Sequence, residues 1–171
     1  MSRTADEEPA IAFLFLTYKG LPHETLWRAF FDASPNSALY GVFVHQKTEQ
    51  TLQCFPADCN IPPVPTQYGC MGIVDAEIAL LKAALADDRG FCKFVLCCGS
   101  CVPLKPFGHI HNVLTRDDCS HLADFPEPAW AVRRGVPSFS GRLTALVGTV
   151  PTRCFAKTSQ WWVLNRRVPS S

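Results

Sequence analysis

The sequence has little charge, and the charges it carries nearly cancel. Sixteen lysines and arginines stand against fifteen aspartates and glutamates in 171 residues, which leaves a formal net charge of +1. A chain without an excess of positive charge has no long-range field that attracts polyanions. The composition therefore predicts no nucleic acid partner and favours small molecules or other proteins.

The sequence also lacks a long hydrophobic run. The longest apolar stretch near its start, residues 11–16, is far below the roughly 20 residues that a helix needs to cross a bilayer. Residues 1–10 form a polar, acidic leader without the basic-then-apolar plan of a signal peptide. We therefore predict no membrane insertion by this chain itself, and one folded domain over residues 11–171.

Metal-binding motifs are missing as well. No Asp-x-Asp follows an apolar strand, although this is a common arrangement for holding a divalent ion on a diphosphate. Cys98 and Cys101 have the spacing of a redox pair or half a zinc site, but no second pair completes four ligands. We therefore expect no metal cofactor, and a thiol or zinc module stays as an alternative function.

Three short apolar runs stand out in the first hundred residues. They begin at Ile11, Leu39 and Phe94, and none of them alternates with polar residues. A continuous apolar run is typical of a strand that is covered on both faces. The pattern predicts three adjacent parallel strands.

Segments with helical periodicity separate these runs. One helix is predicted to begin at His23 or Glu24, a longer one to cover Gly72–Ala86, and a third to follow Pro106. Parallel neighbours need crossover connections, so this alternation predicts an α/β layer fold with a mostly parallel sheet flanked by helices. The longer helix is expected to pack on the sheet through Ile73, Val74, Ile78, Leu81 and Leu85.

The remaining segments are less regular. Residues 51–65 carry four prolines and are predicted to form an excursion with at most one short strand. Residues 116–153 show little periodicity and are expected to wrap the surface. Residues 159–164 form a final strand-like run. In folds of this class ligands bind beyond the carboxyl ends of the strands, which directs attention to residues 17–19, 45–47 and 98–101.

Five blocks of the sequence, taken in order, resemble a known family. They are residues 11–17, 40–45, 72–85, 94–107 and 157–162. As a set they are similar to the core-2/I-branching glycosyltransferases, and most of all to the plant and algal members. The resemblance implies a glycosyltransferase A-type fold that transfers a sugar, such as N-acetylglucosamine, from a nucleotide sugar to a glycan or other hydroxyl acceptor. It further implies inversion at the sugar, no metal, and a place at the Golgi membrane.

The same resemblance implies that the chain is only the N-terminal part of such a domain. The family's catalytic base lies beyond the block that ends in Ser159-Gln160-Trp161-Trp162, so no catalytic residue is assigned and the chain is expected to be inactive alone. The alternative is a non-catalytic remnant that binds glycan or protein. If relatives complete the sheet with further elements, this chain should expose apolar surface near its last strand and self-associate.

The resemblance also implies which residues contact the donor. They lie at strand ends and before the longer helix: Thr17, Tyr18, His45, Gln67, Tyr68, Gly69, Gly99 and Ser100. His45 has three possible roles, a nucleoside contact, acid–base catalysis or an ordinary structural histidine, because imidazole titrates near neutral pH. Animal members carry an aspartate at this place, which leaves the identity of the donor open.

Two adjacent tryptophans are the candidates for contact with the acceptor. Side chains alternate along a strand, so one of Trp161 and Trp162 is expected to enter the core and the other to face a sugar. The apolar C–H face of a sugar packs well on an aromatic ring. Core packing of both rings is the alternative.

Overall fold

The structure is a computed structural model that describes residues 8–68, 70–125 and 157–166. Eight helices and strands follow one another along the described chain: β1 (Ile11–Lys19), α1 (Glu24–Asp32), β2 (Tyr40–Thr48), α2 (Gly72–Ala86), β3 (Lys93–Cys98), α3 (Phe107–Thr115), β4 (His121–Phe125) and β5 (Lys157–Asn165). None of the described helices is long and apolar enough to cross a membrane.

The chain divides into two compact units, with boundaries after Ser120 and after Trp162. The first unit holds β1 to β3, the three helices and the end of β5. The second unit holds β4 and the first part of β5. Gly69 and residues 126–153 lie outside the described residues, and with them most of the segment predicted to wrap the surface.

In the first unit, β1 is the central strand of the parallel part of the sheet. It pairs in parallel with β2 and with β3, so that Phe13 lies opposite Val42 on one side and Val95 on the other. The end of β5 pairs antiparallel with β3. The predicted α/β class and the parallel arrangement of the three apolar runs are therefore confirmed.

In the second unit, β4 is the neighbour of β5. The sequence analysis had assigned no strand to this place, and that expectation was wrong. β4 has only five residues, and a segment this short carries too little periodicity to reveal a strand. Its partner β5 contains the predicted final run, residues 159–164.

An aromatic cluster forms the core between β1 and α1. Trp27, Phe30 and Phe31 of α1 are buried against Phe13, and the ring centroids of Phe13 and Phe31 are 5.1 Å apart with their planes at 75°. Edge-to-face packing of this kind is favourable beyond the area it buries. The Trp27 indole Nε1 donates to the backbone oxygen of Cys101 at 3.0 Å, which ties α1 to the turn after β3.

α2 has the predicted bounds but packs through a different face. Its buried residues are Ala76, Leu80 and Ala84, whereas Val74, Ile78 and Leu85 are 41–45% exposed and Ile73 and Leu81 are partly buried. The helix is apolar on nearly every side, so the periodicity does not single out one face. The small side chains of the alanines let the helix backbone approach the sheet. The predicted contacts were therefore wrong for Val74, Ile78 and Leu85, which face solvent.

The proline-rich segment 51–65 follows the outer edge of β2. It contains one short 3₁₀ turn, Ala57–Cys59, and one parallel bridge between Asn60 and Val44. The Ile61 N–H donates to the Val44 oxygen at 2.9 Å, which satisfies part of the otherwise unpaired strand edge. The excursion therefore covers an edge of the sheet.

Candidate functional site

The carboxyl ends of β1 and β2 and the start of α2 enclose a cleft with a volume of about 240 Å³. We call it the β1–β2 cleft. It is lined by Leu16, Thr17, Tyr18, Lys47, Thr66, Gln67, Tyr68 and Ile73. Four of the residues predicted to contact the donor, Thr17, Tyr18, Gln67 and Tyr68, thus lie together. In open α/β folds this edge of the sheet is the usual position of a ligand.

Aromatic rings and one cation dominate the solvent side of the cleft. Tyr18 is 69% exposed and Tyr68 is 88% exposed. The Lys47 Nζ lies 5.4 Å from the centroid of the Tyr18 ring, within the range of a cation–π contact. Exposed phenol rings can stack on a planar base, and an ammonium group can pair with a phosphate. The cleft thus offers both kinds of contact that a nucleotide needs.

Thr17 fixes the floor of the cleft. It is 6% exposed, and its Oγ1 donates to the His45 backbone oxygen at 3.1 Å, which joins the ends of β1 and β2. Gly99 lies beside it, because a Cβ atom built on Gly99 would be 3.6 Å from the Thr17 Cβ. Ser100 follows in the same turn and is exposed. Gly99 therefore packs beside Thr17, and neither Gly99 nor Ser100 lines the cleft itself.

His45 contacts residue 64 at the start of the segment of residues 64–67, which forms one wall of the cleft. It is fully buried, and its Nε2 lies 2.9 Å from the Val64 backbone nitrogen and 3.1 Å from the Val64 backbone oxygen. The imidazole nitrogen accepts from the N–H in one tautomer and donates to the oxygen in the other, so it contacts the Val64 main chain in both. Nδ1 is also buried and has no hydrogen-bond partner among the described residues. The imidazole therefore holds the segment leading to Thr66 and Gln67, and it does not line the cleft.

Gly72 allows the start of α2 to pack closely against residues 65 and 66. A methyl group at this position would overlap the backbone oxygen of Pro65. The helix can begin this close to residues 65 and 66 only because Gly72 has no side chain. Val64, in contact with His45, and Pro65, packed on Gly72, therefore fix the start of the segment that carries Thr66 and Gln67.

Two larger cavities lie beside the loop that follows β2, and they were not predicted from the sequence. Their volumes are about 510 and 690 Å³, and they share the lining residues Glu49, Gln50, Thr51 and Leu52. The buried amide of Gln46 organises this region. Its oxygen accepts from the N–H groups of Gly20 and Gln50, and its nitrogen donates to Asn60 Oδ1 and to the Gln50 oxygen. All the polar atoms of this amide are thus engaged in shaping the loops.

Lys47 and Thr66 are the polar residues of the cleft lining that were not predicted as site residues from the sequence. Lys47 belongs to the strand end at residues 45–47 that the sequence had marked, so its position was a usable signal. No sequence pattern indicated Thr66, because its position depends on the path of the proline-rich segment along β2. Within the described ranges, no three side chains of His, Cys, Asp or Glu are grouped closely enough to hold a metal ion.

The two tryptophans lie in the second unit. Trp161 is 48% exposed, and Trp162 is partly buried. This difference is what alternation along β5 predicts for their burial. Contact of either ring with an acceptor stays a prediction.

A mostly parallel sheet flanked by helices, with an aromatic and cationic cleft at its carboxyl edge, places the chain in the α/β class. Comparison with known proteins makes the assignment specific, because the family model described as "Core-2/I-Branching enzyme" matches residues 11–169. The chain belongs to the core-2/I-branching enzyme family, as a glycosyltransferase-like domain.

A curated relative supports this assignment. The chain is 27% identical over 165 residues to "Glycosyltransferase BC10" of Oryza sativa subsp. japonica. The matched region covers 92% of this chain and 38% of the relative. The chain thus spans well under half the length of the curated relative that it matches, and the resemblance deduced from the five blocks is confirmed.

Proposed function

We propose that this chain binds the nucleotide sugar donor of a glycosyl transfer reaction in the β1–β2 cleft. The observation that carries the proposal is the pairing of Tyr18 with Lys47 at the carboxyl edge of the parallel sheet. A base needs a flat apolar surface, and a diphosphate needs positive charge. The two side chains supply both within one cleft.

The other cleft residues have distinct roles in this proposal. Tyr68 and the exposed amide of Gln67 cover the donor from the α2 side, and Gly69 continues that segment. Thr17 forms the floor, and Gly99 and Ser100 lie in the turn that packs beside Thr17 through Gly99. His45 is a positioning residue, because it acts on the donor only through Val64 and the wall.

The proposed reaction is inverting transfer without a metal, with N-acetylglucosamine as the sugar and a glycan as the acceptor. Direct displacement requires a base that takes the acceptor proton and positive charge that stabilises the departing diphosphate. Lys47 supplies such charge, and we assign no residue of this chain as the base. We therefore propose that the chain binds the donor but does not complete the transfer alone, and that the whole protein works at the Golgi membrane.

A second candidate is glycan binding without a nucleotide. The exposed Trp161 ring favours it, since an exposed indole is a common platform for a sugar. In this case a free glycan would bind with an affinity that substitution of Trp161 lowers, and nucleotide sugars would not bind.

Calorimetric titration with variants of Lys47 tests the leading proposal. UDP-N-acetylglucosamine, UDP-glucose and GDP-mannose serve as the panel of donors. Lys47→Ala should weaken binding of the preferred donor about tenfold, the effect of losing one charge-assisted contact. Lys82→Ala is the matched control, because Lys82 is an exposed lysine on α2 that does not line the cleft. The proposal fails if no donor binds at millimolar concentration, or if both variants bind as the unmodified chain does.

A further inference from the structure

Cys98 and Cys101 enclose a tight turn directly after β3. The Cys101 N–H donates to the Cys98 backbone oxygen at 3.0 Å, so residues 98–101 form a hydrogen-bonded β-turn. The first and last Cα atoms of such a turn are less than about 7 Å apart. Disulfides require Cα atoms about 4.4–6.8 Å apart. The backbone of this turn is therefore already suited to a cross-link between its two ends.

The two sulfur atoms also lie close together. The Sγ atoms of Cys98 and Cys101 are 3.3 Å apart, and all eight cysteines in the described part of the chain are thiols. An S–S bond is about 2.05 Å long. A modest rotation of the Cys98 side chain, which is only half-buried, would cover the remaining distance. The Cys98 N–H donates to the Cys101 Sγ at 3.2 Å, which holds that sulfur facing its partner.

We propose that Cys98 and Cys101 are a thiol modification site that forms a reversible intrachain disulfide by exchange with a low-molecular-weight disulfide. The site does not depend on the proposed binding of a nucleotide sugar. Neither cysteine has a role in the proposed glycosyl transfer. Both belong to the turn whose Gly99 packs beside Thr17.

The exchange balances in two steps. The Cys98 thiolate attacks one sulfur of the small disulfide RSSR, an S–S bond breaks, and RS⁻ leaves with the electron pair. The Cys101 thiolate then attacks the Cys98 sulfur of the mixed disulfide and expels the second RS⁻. The two thiol protons pass to the two departing thiolates, so two cysteine thiols are oxidised and RSSR is reduced to two RSH.

The neighbouring Cys97 does not compete with Cys98 for reaction with the small disulfide. It is buried, and a side-chain hydrogen bond to Cys101 together with burial raises the pKa of the Cys97 thiol well above its usual range. The thiol form is a poor nucleophile. Cys97 and Cys98 also project to opposite faces of β3, because side chains alternate along a strand. Cys98 is therefore the sulfur that an incoming disulfide reaches.

Oxidised glutathione is the probe for this site. The whole reduced chain is incubated with graded ratios of oxidised to reduced glutathione, remaining thiols are alkylated, and peptide mass spectrometry with fragmentation locates the modifications. We expect the peptide that carries residues 98–101 to lose two hydrogen atoms through a 98–101 link, and dithiothreitol to reverse the loss. Circular dichroism verifies that each protein is folded.

Three variants assign the roles of the cysteines. Cys97→Ala should form the link to the same extent as the unmodified chain. Cys101→Ser should accumulate the glutathione mixed disulfide on Cys98, because no second thiolate resolves it, and Cys98→Ser should form no link. The proposal is overturned if folded, unmodified protein forms no 98–101 link at any ratio, if the link joins Cys97 to either neighbour, or if Cys101→Ser carries no glutathione on Cys98.

Discussion

At the scale of single residues, the site depends on a histidine that does not touch it. The His45 Nε2 contacts the main chain of Val64, and Nδ1 is buried without a hydrogen-bond partner among the described residues. An unpaired buried polar atom costs free energy, so the contact with Val64 must offset that cost. The position of the cleft wall is therefore sensitive to this side chain.

Removal of the imidazole should destabilise the chain. His45→Ala leaves a cavity and removes the hydrogen-bond partner of the Val64 main chain, and we expect the free energy of unfolding to fall by about 2–4 kcal/mol. His109→Ala is the control, because His109 is exposed on α3 and its loss should change stability by less than about 0.5 kcal/mol. Urea denaturation measures both. Equal stabilities of the two variants would show that His45 does not hold the wall.

The sequence could indicate these residues only in part. The rule that ligands bind at strand ends pointed to Thr17, Tyr18 and the stretch containing Lys47, and the family resemblance added Gln67 and Tyr68. What the sequence could not show was the direction of His45. The ring contacts Val64 because the proline-rich segment passes along the edge of β2. No local periodicity in the sequence predicts the path of that segment.

At the scale of secondary structure elements, continuous apolar runs identify the buried parallel strands. The apolar residues of a helix do not show in the same way which of its faces packs on the sheet. β1, β2 and β3 were predicted because only a sheet covered on both sides tolerates consecutive apolar residues. The contact face of α2 was missed for the complementary reason. Apolar residues lie on nearly every side of α2, so the hydrophobic periodicity of the helix does not indicate one face. Which face is buried then depends on which side chains are small enough to let the helix approach the sheet.

A pair of truncations distinguishes the two faces of α2. Leu80→Ala removes a fully buried side chain and should lower the free energy of unfolding by about 2–4 kcal/mol. Ile78→Ala removes a side chain that is 43% exposed and should cost less than about 1 kcal/mol. Urea denaturation measures both. A larger loss for Ile78→Ala than for Leu80→Ala would restore the face predicted from the sequence.

The connection between α2 and β3 should make a small pH-dependent contribution to stability. The Asp87 carboxylate accepts hydrogen bonds from the Arg89 side chain, and chiefly for this reason the pKa of Asp87 is lowered. A carboxyl whose pKa is lower in the folded chain contributes stability above its unfolded pKa of about 3.9 and loses it as the pH falls through the folded pKa.

Asp87→Asn should therefore reduce stability at neutral pH and have no effect in acid. The pair is at the surface, so we expect a loss below about 1 kcal/mol at pH 7. Below the folded pKa both chains carry a neutral group at this position, and their stabilities should converge. Urea denaturation of both proteins over a series of pH values checks this, and a difference that grows towards acid would contradict the assigned sign.

At the scale of the whole molecule, the exposed apolar side chains predict self-association. Trp161 in the second unit is 48% exposed, and Val74, Ile78 and Leu85 expose much of one face of α2 in the first. Contiguous apolar surface on a soluble protein commonly marks a contact with another molecule. Sizing chromatography with light scattering over a concentration series should show oligomers. A monodisperse monomer that binds no hydrophobic dye would indicate a self-sufficient domain.

The central claim is that the β1–β2 cleft binds a nucleotide sugar, and amide chemical-shift mapping tests it most directly. An isotope-labelled sample of the whole chain is titrated with the panel of donors and with free N-acetylglucosamine as the control. We expect saturable shifts for at least one donor at the amides of Thr17, Tyr18, Lys47 and Gln67, and no such shifts with the free sugar. Shifts confined to other residues, or none at millimolar donor, would contradict it.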